Sequence, residues 1–176
     1  MITDKKSLKQ YIKADYLAND YSFKVWFAQF IIGDNKFAFL KNLRKLEYAI
    51  NTKKKLLIIF YRYIHRRKSR KYNVLIPPNT FGKGLRIPHL TSIVVSGNAK
   101  IGENCNIHQC CTIGNDGKTD DGSAVIGNNC YLGANVVIVG KLKIGDNVKI
   151  GAGSVVTKDV VDNDIVAGVP AKSIKK

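Results

Sequence analysis

Acidic side chains are scarce in this chain: 13 Asp and Glu stand against 29 Lys and Arg, a formal charge of +16 in 176 residues. Long apolar runs are missing too. No stretch approaches the roughly 18 uncharged apolar residues that a membrane-spanning helix needs, so none is expected. The opening MITDKKSLKQ has lysines but no apolar core behind them, which argues against a secretory signal and makes the cytoplasm the expected compartment. Of the four cysteines, none has zinc-finger spacing, and nothing implies an oxidising compartment, so neither a metal nor a disulfide is expected.

The charge is unevenly spread. Residues 1–72 hold 18 Lys and Arg against 5 acids, a balance of +13, while the remaining 104 residues hold 11 against 8, a balance of +3. Such a field attracts something anionic, whether nucleic acid, acidic lipid headgroups or an acidic polymer. The plain alternative is a solvated helix face that keeps the chain soluble.

The first 72 residues read as a helical, basic N-terminal region. Leu8, Tyr11, Ile12 and Asp15 follow a 3–4 spacing after Ser7, a suitable N-cap region. A second helix is predicted from Phe37 to Ile50 and a third from about Lys53 to Lys71. The apolar first half of the third suits packing on the protein, and its basic second half complements the helix dipole. The same helix could lie on a membrane surface. Pro77, Pro78, Gly82 and Gly84 in LIPPNTFGKG then mark a boundary.

From there the chain repeats with a period of six. Phe81, Ile87 and Ile93 are followed by Ile101, Ile107 and Ile113, then by Ile126, Leu132, Ile138, Ile144, Ile150 and Val156. This period fits neither an amphipathic helix nor simple strand alternation. It fits a β-solenoid of short strands with three steps to a triangular coil. Four residues after the apolar position a small inward slot recurs, at Cys105, Cys111, Cys130, Val136, Leu142, Val148 and Ser154, which makes those cysteines space-fillers. Between Gly114 and Ala124 the period stops and then resumes. A closed coil accommodates such an excursion only as a loop projecting outward, where function often resides.

Three histidines compete for catalytic work on residue evidence alone. His65 lies among Arg66, Arg67 and Lys68 and reads as a solvated side chain. His108 follows the inward Ile107 and so faces outward, and His89 interrupts the apolar alternation of RIPHLTSIVV. The last two are equally placed.

The stretches IGAGSVVTKDV and AGVPAK, set among the IG steps, resemble the hexapeptide-repeat acyltransferases. FGKGLRIPHLTSIVV extends the likeness to serine acetyltransferases and to the saccharide O-acetyltransferases of the colanic acid and capsular type. The resemblance implies a mainly β fold: residues 73–176 as a left-handed parallel β-helix with the 114–124 loop projecting, behind the short α-helical region 1–72. It implies acetyl-CoA as co-substrate, no metal, and a homotrimer with acyl-CoA bound between solenoids. His89 matches the family's general base, and a neutral imidazole suits proton abstraction from a hydroxyl near pH 7. Asp15 matches an acceptor-contacting aspartate, Arg86 and Asp116 stand as further acceptor contacts, and Ala134, Ala152, Thr157, Lys158 and Lys175 match positions that line the CoA site.

Two departures stand out. Leu75 occupies the segment where the family has an aspartate paired with the catalytic histidine, which leaves Glu103, the loop aspartates or a backbone carbonyl to orient His89. The loop GNDGKTDDGSA lacks the family's serine-binding histidine and offers Asp116, Asp120 and Asp121 instead. Together with the short helical region, these departures favour a sugar hydroxyl of a surface polysaccharide or its precursor as acceptor, with serine second and a non-catalytic anion-binding solenoid third. On that reading the basic region approaches an anionic glycan or the inner membrane face, and no nucleic acid is expected.

Overall fold

All twelve apolar positions of the six-residue series are buried, from Phe81 at 5% exposure to Val156 at 1%. The computed structural model describes residues 1–20, 36–117 and 122–175. Its strands are two or three residues long, because each coil must turn after every six residues. They stack in parallel into the three faces of a prism. Face I holds β1 (Val94–Val95), β4 (Thr112–Gly114), β7 (Val137–Val139) and β10 (Val155–Val156). Face II holds β2 (Lys100–Ile101), β5 (Val125–Ile126) and β8 (Lys143–Ile144). Face III holds β3 (Asn106–Ile107), β6 (Tyr131–Leu132), β9 (Lys149–Ile150) and β11 (Ile165–Ala167), closed by the antiparallel β12 (Lys172–Ser173). This is the expected left-handed parallel β-helix.

Register confirms the period. Val94 pairs with Thr112 and Val137 with Val155, eighteen residues on in each case, which is three steps of six. Thr112 pairs with Val137, twenty-five residues on, so the loop between β4 and β5 is a seven-residue insertion after which the stacking resumes. Thiols of Cys105, Cys111 and Cys130 fill the small slot, each donating to a glycine carbonyl of the next coil at 3.1–3.2 Å. Burial pushes the Cys111 thiol up to about 11, so it stays neutral.

The corner between faces II and III is built from asparagines. Asn104, Asn129, Asn147 and Asn163 all adopt φ between 56° and 60°, a left-handed conformation that asparagine tolerates. Their side-chain amides bond from coil to coil at 3.0–3.2 Å. The adjoining glycines allow the coils to approach: a Cβ on Gly127 would sit 2.7 Å from the Gly145 carbonyl.

Among the described residues, three helices precede the prism: α1 (Lys5–Ala18), α2 (Lys36–Asn51) and α3 (Lys55–Tyr72). The cap of α1 is Asp4, not Ser7. Ser7 is the N3 partner of a capping box, its backbone N–H donating to Asp4 Oδ1 at 2.7 Å. Phe39, Leu40 and Leu43 of α2 join the same apolar cluster as the prism interior, so the helices close its N-terminal end. None of the described helices is long and apolar enough to cross a membrane.

Two expectations about α3 are corrected. Its apolar run is largely uncovered, with Leu56 at 83% and Ile59 at 68% exposure, because α3 packs through the opposite side. His65 belongs to that packed side. It is 7% exposed, its Nε2 lies 3.0 Å from the Ile76 carbonyl, and its ring lies 5.2 Å from that of Phe39. Burial holds the imidazole below its usual pKa, so His65 is a neutral core residue and not a solvated one.

Candidate functional site

Arg86, Ile87, Pro88 and His89 form the first step of face III. Arg86 bridges to Asn106 in parallel, and the Ile107 N–H donates to the Arg86 carbonyl at 3.0 Å. The register that buries Ile87 leaves Arg86 and His89 exposed. The turn that carries His89 stacks on the one after β3, since the Cys110 N–H donates to the Thr91 carbonyl at 3.3 Å. Asn135 bonds the Gln109 carbonyl at 3.0 Å and Gly153 bonds the Ala134 carbonyl at 2.8 Å, so the same corner continues through two further coils. His89, His108, Ala134 and Ala152 therefore occupy one edge of the prism, between faces III and I. A Cβ on Gly133 would sit 2.7 Å from the Ala152 backbone nitrogen, so the coils are stacked tightly along this edge, and at Ala134 and Ala152 the side chains are small.

The helical region holds the His89 segment in place. Asn19, the C-cap of α1, donates to the Leu85 carbonyl at 2.9 Å and accepts from the Ile87 N–H at 3.0 Å, bracketing Arg86 as a neighbouring strand would. Asp15 is 1% exposed, and its Oδ1 accepts from the Gly84 and Leu85 N–H groups at 2.9 Å each. Arg44 donates to the same carboxylate at 2.7 and 3.2 Å. Asp15, expected to touch the acceptor, is buried in this structure and bonded to the backbone of Gly84 and Leu85. Arg86 is drawn toward α1 by Asp20, with Nη2 3.1 Å from Oδ2, an exposed pair worth little in stability.

The remaining expected residues divide between edges. Asp116 follows β4, and a Cβ on Gly140 would lie 3.9 Å from its Cβ, which puts it on the edge between faces I and II. Thr157 and Lys158, just after β10, are exposed on that same edge, and Lys175 is exposed beyond β12. Within one copy of the chain, the residues expected around CoA and acceptor are separated by the width of face I. Glu103 is tied to Lys83 at 3.2 Å on the edge between faces II and III, which removes it as the partner of His89. Asp120 and Asp121 lie outside the described residues. Among the described residues the His89 ring makes no hydrogen bond; its carbonyl accepts from Thr91 at 3.0 Å. The His108 ring packs against that of Tyr131, with centroids 5.0 Å apart and planes tilted by 58°. Burial, and then the charges of His89 and Arg86, hold its imidazole below the usual range, so the three groups share one local field.

Asn19 and Arg44 were not singled out in the sequence. Asn19 looks there like any helix C-cap. Arg44 did carry a signal, a charge amid the apolar spacing of Leu40, Leu43 and Leu46, which on a buried helix face demands a partner.

Residues 123–158 match the bacterial transferase hexapeptide family of six repeats. A serine acetyltransferase of Buchnera aphidicola from Acyrthosiphon pisum is 32% identical over 174 residues, covering 97% of this chain and 60% of that protein. The chain thus spans about three fifths of that relative's length. Soybean serine acetyltransferase superposes with a TM-score of 0.79 at 30% identity, covering 97% of this chain and 70% of that one. The Brucella abortus serine acetyltransferase solved with coenzyme A gives 0.81 at 29% identity, covering 98% and 69%. These likenesses overturn the expected saccharide acceptor: sequence relatives and structural neighbours alike are serine acetyltransferases. The loop and Leu75 departures do not outweigh the extent of the likeness. The likeness runs through the helices as well as the prism, and this chain belongs to the serine acetyltransferase family of hexapeptide-repeat transferases.

Proposed function

We propose that the protein is an acetyl-CoA-dependent serine O-acetyltransferase. The observation that carries this reading is the match of 97% of the chain, at a TM-score of 0.79, to soybean serine acetyltransferase. His89 acts as general base. Its imidazole takes the proton of the serine hydroxyl as that oxygen attacks the thioester carbonyl. When the tetrahedral intermediate collapses, the carbon–sulfur bond breaks and the proton passes from His89 to the departing thiolate. Proton transfer of this kind contributes on the order of 10²–10⁴ in rate. Rigid placement of His89 supplies the rest of what the side chain can offer, and the Asn19 and Asp15 bonds are what make the placement rigid.

Arg86, exposed three residues before His89, is suited to the carboxylate of the acceptor amino acid. The pantetheine arm of acetyl-CoA runs along the edge of Ala134 and Ala152, where small side chains admit it. Lys158 and Lys175 meet its phosphates and Thr157 supplies a hydroxyl, while Asp116 contacts the acceptor.

A homotrimer reconciles the two edges. Face I presents Leu75, Val94, Thr112, Val137 and Val155 outward, none of them charged, whereas faces II and III set Lys100, Lys143, Arg86 and Lys149 among Val125, Tyr131 and Ile165. Three prisms packed with face I toward a common axis bring the His89 edge of one copy against the Asp116–Lys158 edge of the next. Use of acetyl-CoA is consistent with the cytoplasmic location expected from the sequence.

The test is thiol release from acetyl-CoA with and without L-serine. Release that depends on serine is expected. Release indifferent to serine, or absent, overturns the reading.

A further inference from the structure

The outward side of α3 changes character along its length. Its first turns expose Leu56 at 83%, Ile59 at 68%, Phe60 at 56% and Tyr63 at 61%. These residues fall at the 3–4 spacing of one helix face. Arg66, Arg67, Arg70 and Lys71 continue that face and are all exposed. From Tyr48 to Gly102 the chain has twelve Lys and Arg and no Asp or Glu, so no carboxylate stands near these cations in sequence.

A groove of about 550 Å³ lies where the two halves meet, lined by Tyr63, Ile64, Arg67, Lys68, Lys71 and Tyr72. The Arg67 guanidinium lies 6.0 Å from the Tyr63 ring and the Lys71 ammonium 5.3 Å from the Tyr72 ring, so aromatic faces hold both cations beside the groove. The Tyr72 hydroxyl is buried with no hydrogen-bond partner among the described residues. Burial, and then the charge of Lys71, hold the Lys68 ammonium below its ordinary pKa, as expected where cations crowd without a counter-ion.

We propose that this face of α3 is a docking surface for an anionic phospholipid bilayer, with headgroup phosphates in the Arg67–Lys68–Lys71 groove and Leu56, Ile59 and Phe60 at the headgroup–acyl boundary. Charge complementarity selects the occupant. A second copy docking through the same face would bring four more cations and no anion, leaving Arg66, Arg67, Arg70 and Lys71 without a counter-charge. A nucleic acid would satisfy the cations but give Leu56, Ile59 and Phe60 nothing apolar to cover them. A bilayer surface satisfies both halves. The inference stands independently of the acceptor proposed above.

The test is flotation of the full chain with vesicles of phosphatidylcholine alone and with about a third phosphatidylglycerol, a composition whose negative surface attracts basic side chains. Binding is expected only to the anionic vesicles, weakened by salt and not reversed by free inorganic phosphate. At about 1 kcal/mol per basic residue near such a surface, Arg67→Gln with Lys71→Gln weakens partitioning about thirtyfold. Ile59→Ser with Phe60→Ser leaves the charge unchanged and weakens it at least tenfold, given roughly 1.5–3 kcal/mol per large apolar side chain. Helicity and serine-dependent thiol release persist in both variants.

Several results would overturn the proposal. Equal binding to neutral vesicles is one, and no binding at all is another. A serine variant that floats like the parent means the apolar half is idle. Binding lost to a competing single-stranded oligonucleotide, with the serine variant unaffected, identifies a nucleic-acid surface. A serine variant that alters sedimentation while no chain floats identifies a contact between copies.

Discussion

Arg44 Nε donates to Asp15 Oδ2 at 2.7 Å, with the two side chains 0% and 1% exposed. The rest of the guanidinium is fully used. Nη1 reaches Glu47 at 3.0 Å and the Phe81 carbonyl at 3.0 Å, and Nη2 reaches the Gly82 carbonyl at 2.6 Å. Against burial, which alone would lower it, the two carboxylates raise the Arg44 pKa and keep the cation charged. One cation faces two anions, and the excess negative charge is met by backbone donors from Gly84, Leu85 and Asn79. The network ties α1 and α2 to the backbone that leads into His89.

Breaking this network strands a buried charge. Asp15→Asn keeps the shape and the acceptor for Gly84 and Leu85 but removes the charge opposite Arg44. Loss of one partner of a buried pair costs about 3–5 kcal/mol, read as a lowered urea midpoint with unchanged slope. A loss below about 1 kcal/mol would mean that Glu47 alone compensates Arg44.

Asn19→Ala tests positioning apart from proton transfer. It leaves the Leu85 carbonyl and Ile87 N–H without their partner and loosens the segment that carries His89. Steady-state kinetics should show kcat falling by up to about a hundredfold, as displacements near 1 Å do, with KM for acetyl-CoA little changed. An equal rise in KM would place Asn19 in donor binding instead.

His89→Ala removes the proposed base, and serine-dependent thiol release should fall by about 10²–10⁴ with the melting temperature unchanged, since the side chain is exposed. Parental turnover in this variant would move the base to His108, the other histidine in the same field.

His65 gives stability a pH dependence with a definite sign. Its folded pKa lies below the usual 6.5, so on acidification the unfolded chain takes up the proton first. The contribution of neutral His65 is fully present above pH 6.5 and is lost as the pH falls from there toward the folded value. Urea titrations between about pH 7.5 and 5 should show that decline, and His65→Gln should flatten it.

Gly127→Ala probes the stacking of coils. The added Cβ would lie 2.7 Å from the Gly145 carbonyl, a backbone atom fixed by its own ladder, so the coils must separate. Overpacking of this kind costs about 1–3 kcal/mol, measurable as a drop in melting temperature. Gly114→Ala, where a Cβ meets nothing within 4 Å, is the control and should be near neutral.

The inward positions of the prism were determined by the sequence alone, from Phe81 to Val156, together with the small slot that holds three cysteines. Every step of a solenoid must bury its own apolar residue against the next, so the rule is written out every six residues. The seven-residue excursion was legible for the same reason, as the place where the rule lapses. Tertiary structure decided what depends on contacts far apart in the chain. Asp15 meets Gly84 and Leu85 across 69 and 70 residues, and no local pattern distinguishes that carboxylate from a solvated one. His65 sits among arginines in sequence and beside Phe39 and Ile76 in space, because the docking angle of α3 sets which side is covered. His89 was visible as an interruption of an alternation; its place on one edge with Ala134 and Ala152, a prism face away from Asp116 and Lys158, follows only from how the coils stack.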